Sequence, residues 1–196
     1  MIKSLIGILC SGLLLISCTS SKQKEKEEPT IIIPYINYVQ EQLTLLDSTP
    51  TTVSKINSTT VQNKTTNTTQ TKTDTSIITK AELVAIIKQL NVPDIAKAGV
   101  QEHYTKSSYN DLGSQRSNFN YTTNDNTMPL KSLTLCYSNE TVASIKAILY
   151  TRVLTQNEIT TQVNVAWEAN KFIIINSVQD SSNISTQSST QVVWGR

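Results

Sequence analysis

The sequence predicts an α+β fold: two N-terminal helices packed on a five- or six-stranded antiparallel meander sheet. Three observations predict it. Apolar residues recur at helical spacing between Tyr35 and Leu46. A capped helical repeat follows at Thr79–Leu90. From Arg116 onward the apolar period falls to two, in short runs separated by polar breaks.

The first helix rests on Tyr35, Val39, Leu43 and Leu46, one stripe of apolar side chains. Pro34 suits a first helical turn, and Asp47-Ser48-Thr49-Pro50 ends it. Such a stripe is expected to pack on a core; a partner surface is the alternative. The segment 51–76 is rich in threonine, which favours strands. Thr52 to Val61 reads as an edge hairpin around Asn57-Ser58. Gln62 to Thr73 has no apolar residue and reads as an exposed Thr-rich loop.

Thr79-Lys80-Ala81-Glu82 is a capping box, in which the Thr79 hydroxyl accepts from the Glu82 backbone and the Glu82 carboxylate reaches back. Leu83, Ile86, Ile87 and Leu90 then line one helical face, and Asn91 and Pro93 stop the helix. Val100 to Tyr109 fits helix or strand equally. Beyond Arg116, Phe119 and Tyr121 share a face, as do Leu133, Leu135 and Tyr137. So do Ile145, Ala147 and Leu149, then Val163, Val165 and Trp167. Phe172, Ile174 and Val178 alternate with Ile173 and Ile175, and Val192 alternates out to Trp194. One apolar face results, with the two helices as its cover.

The formal charge of +2 lacks the clustered basic surface that phosphate binding needs, which argues against nucleic acid as the main partner. No glycine-rich phosphate loop, CxxC, HExxH or EF-hand pattern occurs, so neither a cofactor nor a metal is expected. His103 is a candidate general base for a nearby serine or threonine, with Asp94 or Asp111 to orient it. The competing reading is a surface histidine. Cys136 falls on the opposite sheet face from Leu135 and Tyr137, which fits a small half-buried side chain better than a nucleophile. Phe119, Tyr121, Tyr137, Tyr150, Trp167 and Trp194 either line a glycan or peptide groove or pack the core; packing is the stronger expectation. Asn-x-Ser/Thr sequons at Asn57, Asn63, Asn67, Asn120, Asn139 and Asn183 fit chance in a chain this rich in Asn, Ser and Thr.

The N-terminus carries the most specific signal. Lys3 precedes an uncharged apolar run, Leu5 to Ile16, shorter than the ~20 residues needed to span a bilayer. Leu15-Ile16-Ser17-Cys18 closes it and a polar, charged segment follows. These residues resemble the lipobox of bacterial lipoproteins. The resemblance implies cleavage behind Ser17 and acylation of Cys18, the lipid-attachment site. It divides the chain into a signal peptide (1–17), a lipidated polar tether (18–30) and a single α+β domain (31–196) with the Thr-rich loop at 62–73. Thr19, where many inner-membrane lipoproteins carry Asp, implies the outer membrane. Lys22 to Glu28 is similar to the charged surface-export stretch of some Gram-negative lipoproteins, or is a solvated linker. Cys10 would leave with the signal peptide, so Cys136 would have no partner for a disulfide. The chain is similar to small Gram-negative outer-membrane and surface lipoproteins, a likeness that implies no activity.

The expected function is a non-catalytic binding or assembly module, held to the membrane through its N-terminal lipid and engaging an envelope protein or glycan. A His103-dependent hydrolase and a periplasmic carrier of an apolar ligand are the alternatives.

Overall fold

The computed structural model describes residues 35–48, 52–90, 95, 99–138, 141–157 and 159–194. Helix α1 (Tyr35–Ser48) precedes the hairpin β1 (Val53–Asn63) and β2 (Thr68–Ile78). Helix α2 (Lys80–Gln89) and a single 3₁₀ turn (Gln101–His103) come next. Seven strands complete the chain: β3 (Thr105–Asp111), β4 (Arg116–Thr122), β5 (Leu130–Ser138), β6 (Thr141–Gln156), β7 (Ile159–Glu168), β8 (Phe172–Asp180) and β9 (Ile184–Val193).

The nine strands of the described residues form one antiparallel sheet in the order β2-β1-β9-β8-β7-β6-β5-β4-β3. The α+β expectation of two N-terminal helices on five or six strands is therefore overturned. The fold is mostly β, and α2 follows a hairpin rather than preceding the sheet. The six alternating runs after Arg116 correspond to β4–β9. The strands that the sequence does not resolve are β1, read as an edge hairpin, β2, read as a loop, and β3, read as helix or strand; their residues are mostly polar, half-buried in β1 and exposed in β2 and β3, and carry little apolar alternation.

The Thr-rich segment accounts for most of the error. β1 runs straight through Asn57 and Ser58 as an inner strand between β2 and β9, so it is not an edge hairpin. Residues 62–73 are not a loop: only Lys64 to Asn67 turn, and β2 begins at Thr68. Pairing satisfies backbone groups whatever the side chains are, and β-branched threonine suits the extended backbone. Direct hydroxyl contacts assist, with Thr60 Oγ1 2.9 Å from Thr71 Oγ1. Asn63 Oδ1 accepts from the Thr65 and Thr66 N–H groups and stabilises the turn.

With few glycines available, asparagine and glutamine take the left-handed position in four hairpin turns: Asn67 (φ 52°), Gln115 (φ 52°), Asn157 (φ 50°) and Asn170 (φ 57°). Asparagine tolerates this conformation better than most residues, whereas glutamine has no such advantage.

Strands β2 and β3 lie at opposite edges, so the connection through α2 must cross the sheet. It does so on the apolar face. The capping box forms as expected: Thr79 N–H donates to Glu82 Oε2 (2.7 Å) and Glu82 N–H to Thr79 Oγ1 (3.2 Å). Leu83, Ile87 and Leu90 are buried against the sheet and Ile86 packs at their margin. Asn91 and Pro93 lie outside the described residues. Among the described α1 side chains, Tyr38 and Gln42 are buried, and Val39 and Leu43 of the expected stripe pack against the core; the side chains of Tyr35 and Leu46 lie outside those described. Tyr38 meets Trp167 edge-on, with ring centroids 4.8 Å apart. Gln42 Oε1 accepts from the Asn170 N–H, tying α1 to the β7–β8 turn.

A bulge in β6 corrects one further reading. Cys136 pairs with Ala147 but Tyr137 pairs with Ile145, leaving Lys146 unmatched. The extra residue turns Ile145 into the core beside Ile148 and Tyr150, while Leu149 is exposed. Ile145 does not share a face with Leu149.

Candidate binding face

The sheet has two unlike faces. The helix-covered face carries Val53, Leu133, Leu135, Tyr137, Ile148, Tyr150, Val165, Trp167, Ile173 and Val192 in one core. Among the described residues no helix lies over the opposite face, whose residues are mostly hydroxyls and amides.

The registers place one residue per strand in a single transverse row on that open face. From β3 to β2 it reads Thr105, Thr122, Ser132, Thr151, Asn164, Asn176, Ser189, Ser58, Thr73. All nine carry a hydroxyl or amide, none is charged and none is buried. At ~4.8 Å between strands the row spans roughly 38 Å. Thr151 Oγ1 donates to Asn164 Oδ1 (2.8 Å), as does Gln162 Nε2 (3.4 Å), so both bonds use the amide oxygen and neither uses its N–H groups. Thr134 Oγ1 donates to Asn120 Oδ1 (2.8 Å) one step along the strands. A shallow depression of about 210 Å³ lies over the middle of the row, bounded by Ser132, Thr134, Thr151, Asn164, Ala166 and Asn176.

At the β4 end, Cys136 is buried opposite Asn118 and Ala147. Glu168 accepts there from Lys171 Nζ (2.6 Å) and Arg116 Nη2 (2.9 Å). Burial pushes the Cys136 thiol up from its ordinary range, which keeps it protonated and a poor nucleophile. The Lys171 ammonium, with Arg116, holds the Glu168 carboxyl below its ordinary value against the opposing effect of burial.

His103 lies elsewhere, on the 3₁₀ turn before β3. Its Nδ1 is 2.9 Å from Asp125 Oδ2. Of the two expected orienting residues, Asp111 is held instead by Gly113 and Ser114, and Asp94 lies outside the described residues. Hydrogen bonds from Thr127, then His103, keep the Asp125 carboxyl ionised below the ordinary carboxylate range. Among the described residues no hydroxyl or thiol is hydrogen-bonded to the His103 ring.

Tyr121, Tyr137, Tyr150, Trp167 and Trp194 are buried in the core, and Phe119 packs edge-on against Tyr137 (5.3 Å). They form no groove. Cys18 lies outside the described residues. Among those described, no helix is long and apolar enough to cross a membrane, and no three His, Cys, Asp or Glu side chains converge. No family model matches the chain, and no curated protein is significantly similar to it. The described residues thus define a β protein built on one nine-stranded sheet, with α1 and α2 packed on the same face.

Proposed function

We propose that the chain is a lipid-anchored lipoprotein of the outer membrane, tethered through Cys18, whose sheet is a non-catalytic docking face. The partner is extended, uncharged and rich in hydrogen-bonding groups, as an envelope glycan or a polar protein segment is. The nine-residue row carries this reading. A straight line of neutral donors and acceptors across nine strands suits a linear polar polymer better than a compact ligand. Its side chains are short, so little rotamer entropy is lost when they are ordered.

Cysteine accessibility tests the face without knowing the partner. Asn164→Cys and Ser189→Cys are labelled with a maleimide in purified protein and in intact envelopes, with Gln115→Cys as an exposed turn control. Several-fold slower labelling in envelopes at the two row positions alone is expected. Equal labelling in both settings refutes the docking face. The anchor is tested separately: Cys18→Ala should leave a larger precursor that takes up no labelled fatty acid.

The pair of His103 and Asp125 favours a second reading, a hydrolase in which Asp125 orients the imidazole. Loss of a hydrolytic activity in His103→Ala with the fold intact would move the function to that site. The carrier reading requires an apolar ligand where α1 and α2 pack; lipid co-purifying with the protein would support it.

A further inference from the structure

We infer that the β2 edge pairs with the β2 edge of a second copy of this chain, joining two sheets into one about a two-fold axis through Thr73. This does not rest on the docking-face reading, although Thr73 belongs to both the edge and the row.

β2 is a long edge. It pairs with β1 along all eleven positions from Thr68 to Ile78, and among the described residues no strand lies on its other side. Its residues from Thr68 to Thr75 are exposed, and Ile77 is 78% exposed. Natural edges of this length are usually blunted by proline, a bulge or an isolated lysine. β2 has no proline and its pairing with β1 shows no register shift. Its single lysine, Lys72, has Asp74 two residues away on the same sheet face.

That spacing makes the strand complementary to itself. Thr73 is the midpoint of Thr68–Ile78. Antiparallel pairing about Thr73 overlaps the whole strand and sets Lys72 opposite Asp74 of the second copy, twice by symmetry. It also sets Thr71 opposite Thr75, and Thr69 opposite Ile77, which gives that exposed apolar side chain a neighbour. Opposed residues must share a face, so the nearest alternative registers lie two residues away. One sets Lys72 against Lys72, the other Asp74 against Asp74, and like charges directly opposed disfavour pairing. A hydroxyl-rich strand would otherwise specify its register weakly; the two charges select one. The contact is isologous, so it closes as a dimer and does not propagate. The axis passes through the last residue of the transverse row, and the two rows become one line across eighteen strands.

Site-directed cross-linking of the full chain tests the register. A short bis-maleimide should convert Thr73→Cys to covalent dimer, because the two side chains face each other at the axis. Thr69→Cys should give no dimer, since the two copies of residue 69 lie roughly 27 Å apart along the strands. The unsubstituted chain sets the baseline for Cys18 and Cys136. Adding Lys72→Asp to Thr73→Cys should cut the yield several-fold, and adding Asp74→Lys as well should restore it. All these positions are exposed, and circular dichroism checks the fold. Background yield at Thr73→Cys, equal yield at both cysteine positions, ladders beyond dimer, or failure of the charge exchange to restore the yield would each overturn the inference.

Discussion

Trp167→Ala is expected to cost about 3–5 kcal/mol of stability. Trp167 is 1% exposed and lies in β7 at the centre of the helix-covered face. Its ring meets Tyr38 of α1 at 4.8 Å and 68°. Removing a buried tryptophan loses its transfer free energy and leaves a cavity, about 3–5 kcal/mol together. Within that total, the edge-on aromatic contact contributes roughly 0.5–1.5 kcal/mol. Urea denaturation followed by circular dichroism measures the cost. With a slope near 2 kcal/mol/M, the midpoint should fall by roughly 1.5–2.5 M. A double-mutant cycle with Tyr38→Ala should return the aromatic contact as a coupling energy. Trp167→Phe should cost far less. The indole N–H is buried with no acceptor among the described residues, so its removal relieves a desolvated donor. A loss below ~1 kcal/mol for Trp167→Ala would mean that Trp167 is not buried under α1, and the assigned core would be wrong.

Two further outcomes follow from local geometry. Gln115→Gly should stabilise the chain by about 0.5–1 kcal/mol in the same assay, because Gln115 holds φ 52° in the exposed β3–β4 turn, where glycine has no Cβ penalty. Glu168 should make stability fall in acid. Its folded-state value lies below the ordinary 4.5, so its contribution is fully present above 4.5 and is lost as pH falls through the lower, folded value. Urea midpoints measured from neutral to acid pH should therefore fall less steeply in Glu168→Gln; an unchanged slope would show that its contacts with Lys171 and Arg116 contribute nothing.

Where burial and pattern coincide, the sequence sufficed. The capping box at Thr79–Glu82 and the Leu83–Leu90 face are local, and one turn of helix decides them. The runs from Phe119 to Trp194 are legible because one face of each strand is buried, which writes the two-residue period into the residues themselves. The stretch Leu15 to Cys18, proposed above as a lipid-attachment signal, is local for a different reason: a signal of that kind acts on the unfolded chain and needs no fold. β1 and β2 carry no such mark. Their threonines favour extended backbone, but their polar side chains do not show that eleven residues of each pair with one another or that β1 adds to β9. The bulge at Lys146 was equally invisible, since an unmatched residue exists only relative to the neighbouring strand. The transverse row is the strongest case. Thr105, Asn164 and Ser58 are separated along the chain by whole strands and helices, and nothing local relates them. Backbone pairing sets which residues stand opposite one another, and that long-range alignment is a property of the assembled sheet alone.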